Sequence, residues 1–161
     1  MLKKVFISSI IGLGLASGMF AQDCIMVKDL NVEFKNDTTI YMNQEEKKEV
    51  AEFAKFLKDT GLYAVVEGHT SKFAPAMYNY ELSQKRAMKV RSELISYGVK
   101  PKQVQAMGFG ESSPLYDNNT QEGAQKNRRV IAEVFNSELD LNNYIKTENE
   151  RISNIKYKEQ R

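Results

Sequence analysis

The chain has 161 residues, with 23 basic and 21 acidic side chains, a formal net charge of +2 and a single histidine. That length suits one domain with an ordinary core, and the near-balance of charge excludes the basic excess of a nucleic-acid binder. The lone Cys24 cannot close an internal disulfide, and no Gly/Ser linker, low-complexity tract or internal repeat divides the chain.

The first residues, MLKKVFISSIIGLGLASGMFAQ, carry the three parts of a secretory signal peptide. Lys3 and Lys4 form a basic start, Val5 to about Ala16 is apolar, and small residues precede a cleavage point after Ala21. The apolar stretch falls short of the about 20 residues a membrane-spanning helix needs, and no later segment could span a bilayer. Cys24 does not read as a lipidation site, because the charged Asp23 stands where a small residue belongs. Residues 1–21 are therefore expected to be removed on export to the periplasm. Two lysines leave with them, so the remainder balances 21 acidic residues with as many basic ones.

Leu30, Val32 and Phe34 alternate with polar neighbours, the period of a half-buried strand. Asn43, with Glu46 three residues on, reads as a helix start. Val50, Phe53, Ala54 and Leu57 then repeat at helical spacing, and Gly61 fits the stop. Leu62 to Glu67 is a second strand. A second helix is expected from near Tyr78 to Gly98, with Leu82, Ala87, Val90, Leu94 and Tyr97 on its buried side. Val104 to Phe109 reads as a third strand and is followed by a Gly/Ser/Pro/Asp/Asn loop. A short helical turn near Gln121 to Lys126 leads into a fourth strand, Val130 to Phe135.

The pattern is an α+β fold in the order β-α-β-α-β-(short α)-β. Helices between the first three strands imply βαβ crossovers and a sheet covered on one face by two helices. Residues 22–136 form one domain. Residues 137–161 are a polar tail with Leu141, Ile145, Ile152 and Ile155 at near-helical spacing. Glu148 and Arg151 interrupt any heptad, so the tail is expected to be a helix packed loosely on its own domain; docking to a partner is the alternative. Tyr63, Tyr78, Tyr80 and Tyr97 fit strand and helix packing and are read mainly as core.

Four blocks stand in order along the chain: GHTSKFAPAMYNYELSQKR from Gly68, RAMKVRSELISYGV from Arg86, GFGESSP from Gly108 and DNNTQEGAQKNRRV from Asp117. Together they resemble the OmpA-like peptidoglycan-binding domain family, whose pattern runs GHTDxxGxxxYNxxLSxxRA, then GxGExxP, then NxTxxGRxxNRRVE. The resemblance spans about Leu30 to Phe135. It implies the same α+β fold, with the fourth strand completing a mixed four-stranded sheet. It also implies non-covalent, non-enzymatic binding to the peptide stem of peptidoglycan through its diaminopimelate residue, without a cofactor.

That residue carries an ammonium and a carboxylate on one carbon, so its recognition needs an anion and a bidentate donor. Arg86, in Leu82-Ser83-Gln84-Lys85-Arg86-Ala87, is the implied donor, since a guanidinium fork matches both carboxylate oxygens. On this reading Arg86→Ala abolishes binding to sacculi and leaves the fold intact. Leu82 opens the same motif and joins the implied site. The family's acid position is Ser71 here, which offers a hydrogen bond but no charge. Lys72 beside it disfavours an ammonium if it turns inward. Ala74 and Pro75 replace the family's glycine region, so a neighbouring carboxylate or carbonyl could substitute for the missing acid. Asn79 either binds stem amides or caps the second helix. Of Arg128 and Arg129, Arg128 is expected to face the site and Arg129 to form a structural ion pair. The motif's GRxxN arginine is absent, with Ala124 in its place.

His69 is expected to be a hydrogen-bonded structural histidine at a strand end, since one histidine without companions makes a poor zinc site. No nucleophile–base pair, P-loop or dinucleotide motif is present, which argues against an envelope hydrolase. The remaining rival is a degenerate domain of the same fold that binds another envelope protein, through the tail or the loop after Gly110.

Overall fold

The computed structural model describes residues 28–155; the leader segment, Cys24 and the last six residues lie outside the described residues. In chain order the elements are β1 (Asn31–Glu33), α1 (Glu45–Thr60), β2 (Tyr63–His69), α2 (Ala76–Ser96), β3 (Val104–Gly110), α3 (Gln121–Asn127), β4 (Arg129–Phe135) and α4 (Glu138–Ile155). The sheet order is β1-β4-β2-β3, with β4 antiparallel to both neighbours and β2 parallel to β3. The last strand thus inserts between the first two. Only the β2–α2–β3 crossover joins adjacent strands, and β1–α1–β2 is split around β4.

Helix α1 forms where the sequence places it. The Asn43 side chain accepts a hydrogen bond from Glu45 N at 2.8 Å, capping the first turn. Val50, Phe53, Ala54 and Leu57 are buried, and Gly61 ends the helix in the left-handed region at φ 70, which glycine adopts without steric cost. Helix α2 starts at Ala76, two residues earlier than its apolar spacing suggests, because Pro75 occupies the cap position. Tyr97 and Tyr78, read as buried, are 41% and 45% exposed. The buried side of α2 is more polar than its apolar residues indicate, since Asn79, Ser83 and Arg86 are buried with Ala87, Val90 and Leu94.

Two glycines let α2 lie directly on the sheet. A Cβ at Gly68 would sit 2.0 Å from Ser83 O, and one at Gly108 would sit 2.7 Å from Gln84 N. Side chains of α2 then occupy the outer edge of β3. Arg91 Nε donates to Val104 O at 2.7 Å, Gln84 Nε2 to Ala106 O at 3.3 Å, Gly108 N to Gln84 Oε1 at 2.6 Å, and Gly110 N to Ser83 Oγ at 2.9 Å. Backbone groups that would otherwise invite another strand are satisfied within the domain.

The strands alternate between two cores. Ala64 and Val66 of β2 face α1 and α2 in the main core, whereas Val65 faces the other way, with Met107, Phe109, Leu141 and Ile152. Helix α4 therefore covers the second face of the sheet, more firmly than the loose packing expected. Leu141 and Ile152 are 1% and 5% exposed, and the Tyr144 hydroxyl donates to Glu67 Oε1 beneath it. The apolar side available for docking a partner is used by the domain itself.

Candidate functional site

At the end of the sheet where β2 and β4 meet α2, three connections converge: the turn after β1, the loop from Thr70 to Pro75, and the start of β4. They enclose an open cavity of about 330 Å³. All five residues singled out by sequence line it: Ser71, Asn79, Leu82, Arg86 and Arg128. Gly68, by bringing β2 against Ser83, sets Arg86 one helical turn later beneath this loop.

Arg86 is wholly buried and does structural work. Its Nε donates to Thr38 O at 2.9 Å, Nη2 to Lys35 O at 3.1 Å and Nη1 to His69 O at 3.4 Å. Its guanidinium lies 5.2 Å from the centre of the Phe34 ring. Burial, with nearby Arg128, lowers its pKa to about 10, so it remains a cation at neutral pH. Nη1 and Nη2 each keep a second N–H beyond these bonds. The fork thus ties the turn after β1 to the end of β2, beneath a cavity that Arg86 helps to line.

Asn79 does not cap the second helix, whose cap position is Pro75. Its Nδ2 donates to Ala74 O at 2.9 Å and to the buried Glu111, and its backbone N makes the ordinary helical bond to Pro75 O. The side chain ties the site loop to the segment after β3. Ser71 is buried at the cavity wall. Lys72 turns away from it, reaching Asn119 Oδ1 at 2.7 Å, and its charge is not in the cavity wall. Thr70, also in the wall, is 3% exposed, and its Oγ1 has no hydrogen-bond partner.

Arg128 and Arg129 separate as the strand period requires. Arg128 lines the cavity; its Nη2 donates to Gln125 Oε1, and its Nε is buried without a partner. Arg129 faces the α4 side. Contrary to expectation it forms no ion pair among the described residues, donating instead to Asn127 Oδ1 at 3.4 Å and Ser113 O at 3.2 Å. Asn127 itself is wholly buried and accepts from Leu115 N and Tyr116 N, each at 3.1 Å. That organises the loop after β3 without the arginine replaced by Ala124.

His69 ends β2, but its ring is not hydrogen-bonded. It is 2% exposed and stacked on Phe109 with ring centres 5.3 Å apart, and neither ring nitrogen has a hydrogen-bond partner, Nε2 standing 3.7 Å from Glu67 Oε2. Burial first, then Arg129 and Arg151, hold its pKa well below the usual histidine value.

Sequence reasoning missed Asp37, Tyr78 and Phe73, all in the cavity wall. Asp37 belongs to the turn after β1 and accepts a hydrogen bond from the Tyr78 hydroxyl. The Asn36-Asp37 pair is a turn signal that marks a loop, but only the fold brings that loop to the site. Phe73 is 69% exposed and gives the mouth an apolar rim.

A mixed four-stranded sheet with two helices on one face, and an arginine-lined pocket at its end, defines an α+β binding domain. The OmpA family model matches residues 34–128, more than half of the chain. The chain belongs to the OmpA family. It is 40% identical over 107 residues to outer membrane porin F of Pseudomonas aeruginosa, covering 66% of this chain and 30% of that protein. The peptidoglycan-associated lipoprotein of Burkholderia pseudomallei superposes with a TM-score of 0.61 at 26% identity, over 65% of this chain and 89% of that one. The C-terminal domain of Helicobacter pylori MotB does so at 0.59 and 26%, over 77% and 97%. The first relatives are much longer proteins, of which this chain spans between 21% and 33%. The family consists of non-enzymatic structural domains of the cell envelope. Among the described residues no helix is long and apolar enough to cross a membrane.

Proposed function

We propose that this chain is an exported, periplasmic module that binds peptidoglycan non-covalently. It would grip the carboxylate-and-ammonium end of a diaminopimelate residue in the peptide stem. The observation that carries this reading is the shared cavity: residues of the first and last motif blocks and of the turn after β1 line one pocket rich in donors. The spare N–H groups of Arg86, the partnerless Nε of Arg128 and the partnerless hydroxyl of Thr70 suit a carboxylate, because donors left unpaired at a buried site are costly unless something accepts from them. The leader-like residues 1–21 and the envelope origin of the relatives support the location.

The test is co-sedimentation of the mature chain with purified sacculi, with a free diaminopimelate-containing stem peptide as competitor. Pelleting that the peptide reverses, with no released muropeptides, supports the reading; a chain that stays in the supernatant refutes it. In the second case the protein-interaction reading takes over. The exposed Leu115 and Tyr116, 66% and 40% accessible in the loop after β3, favour that loop as the contact.

A further inference from the structure

We propose that Asp37 supplies the anion of this pocket, pairing with the ligand's ammonium in place of the acid missing at Ser71. The assignment rests on the stem-binding reading above and adds to it the residue that completes the site. Among the described residues Asp37 is the only acidic side chain in the cavity wall, which otherwise carries the two cations Arg86 and Arg128. A wall of two guanidinium groups and no acid would attract a carboxylate and repel the ammonium attached to the same carbon.

Three details hold Asp37 at this task. Its backbone has φ 55, and among the described residues it is the only non-glycine with positive φ; aspartate and asparagine adopt that region more readily than other side chains. Arg86 donates to Lys35 O and Thr38 O on either side of it, so the residue implied to hold the carboxylate also fixes the turn that presents the acid. The Tyr78 hydroxyl donates to Asp37 Oδ1, and Oδ2 makes no bond among the described residues. The turn after β1 thus offers the cavity the carboxylate that the loop after β2 lacks.

The test is calorimetric titration of a synthetic stem peptide with meso-diaminopimelate into four proteins: the mature chain, Asp37→Asn, Ser71→Asp and the double variant. Asparagine keeps the left-handed turn and can still accept from Tyr78, so Asp37→Asn removes charge without removing shape. Replacing a charged by a neutral acceptor should weaken binding about 5- to 30-fold, with a smaller loss at high salt because Asp37 is exposed. Ser71→Asp alone should gain little, while Asp37→Asn with Ser71→Asp should recover most of the lost affinity. A peptide acetylated on the diaminopimelate side-chain amine should bind the mature chain and Asp37→Asn alike. Unchanged affinity in Asp37→Asn, with the mature chain binding, overturns this assignment and leaves the stem-binding reading standing. No binding by the mature chain overturns both.

Discussion

Arg86→Ala should destabilise this domain strongly, so that a loss of binding in that variant cannot be read as a loss of the site alone. Removing the guanidinium leaves Lys35 O, Thr38 O and His69 O without their donor, and an unpaired buried acceptor costs about 1–3 kcal/mol. Two of the three bonds are only part-buried, and water entering from the cavity can serve those oxygens. The low end of the range therefore applies, about 3–4 kcal/mol in all, with the Phe34 contact adding a fraction of that. For a domain of this size such a loss lowers the melting temperature by roughly 10–15 °C and uses much of the 5–15 kcal/mol of a typical fold. Circular dichroism melts and urea titrations of both proteins at pH 7 measure it. Arg86→Lys should fall between them, since an ammonium cannot span three carbonyls set around a planar fork. A melt for Arg86→Ala within about 3 °C of the parent chain would show that the guanidinium is not a structural clasp. It would also restore the simpler expectation that Arg86 can be deleted to test binding alone.

Gly68→Ala should cost about 3 kcal/mol, the upper end for overpacking, because the new Cβ meets the backbone oxygen of Ser83 at 2.0 Å; Gly61→Ala, with nothing within 4 Å but φ 70, should cost about 1–2 kcal/mol of backbone strain, and equal urea midpoints would contradict the ranking. Leu141→Ala should cost at least about 2 kcal/mol and make α4 sensitive to proteolysis, whereas a helix that only rests on the domain would show neither effect. His69 is held neutral in the folded state, its pKa lowered mainly by burial and then by Arg129 and Arg151. The unfolded chain binds the extra proton as pH falls through about 6.5, so His69 should make stability decline below that pH. Glu67, raised chiefly by burial, acts with the opposite sign: its contribution to stability is full below the unfolded carboxylate pKa and is lost as pH rises from there through the raised folded value. His69→Phe should flatten the slope between pH 5 and 7, and an unchanged slope would exonerate the histidine.

The fold was legible wherever one face of an element is apolar. Val50, Phe53, Ala54 and Leu57 announce α1, and alternation in the strands announces the sheet. Legibility failed where burial is polar. Asn79, Ser83 and Arg86 sit on the inner side of α2, yet no hydrophobicity pattern marks them, because their partners lie far away in sequence: Glu111 for Asn79, Gly110 for Ser83 and the turn after β1 for Arg86. The tail shows the same blindness from the other direction. Glu148 and Arg151 break its apolar repeat and made it read as loosely held. On the sheet beneath, however, Glu67, His69 and Arg129 form a polar strip, and Tyr144 and Arg151 answer it by a hydrogen bond to Glu67 and a stack over Phe109. Asp37 was invisible for a third reason. A single acid in a turn has no periodicity, and only the pairing of β1 with β4 brings that turn to Arg128.

These distinctions bear on what a motif match can mean for this site. Most of the residues that carry the resemblance are engaged in holding the backbone. Gly68 and Gly108 admit α2, Ser83 and Gln84 close the edge of β3, Asn79 and Asn127 fasten loops, and Arg86 clasps the turn after β1. A chain could keep every one of them for folding and have lost its ligand. The positions free of such duty are few: Ser71, Asp37 and, in part, Arg128. Binding function should therefore be judged on those three. Together with Arg86 they set two cations and one acid in the cavity wall, the charge order that answers an amino acid's carboxylate and ammonium. Arg128→Ala, which removes a wall cation without releasing any backbone carbonyl, is the cleaner probe of the carboxylate end. It should weaken stem-peptide binding about tenfold or more, the value of one charge-assisted bond, and shift the melt by less than Arg86→Ala. A large loss of stability with no loss of affinity would place Arg128 among the scaffold residues and leave the pocket with a single cation.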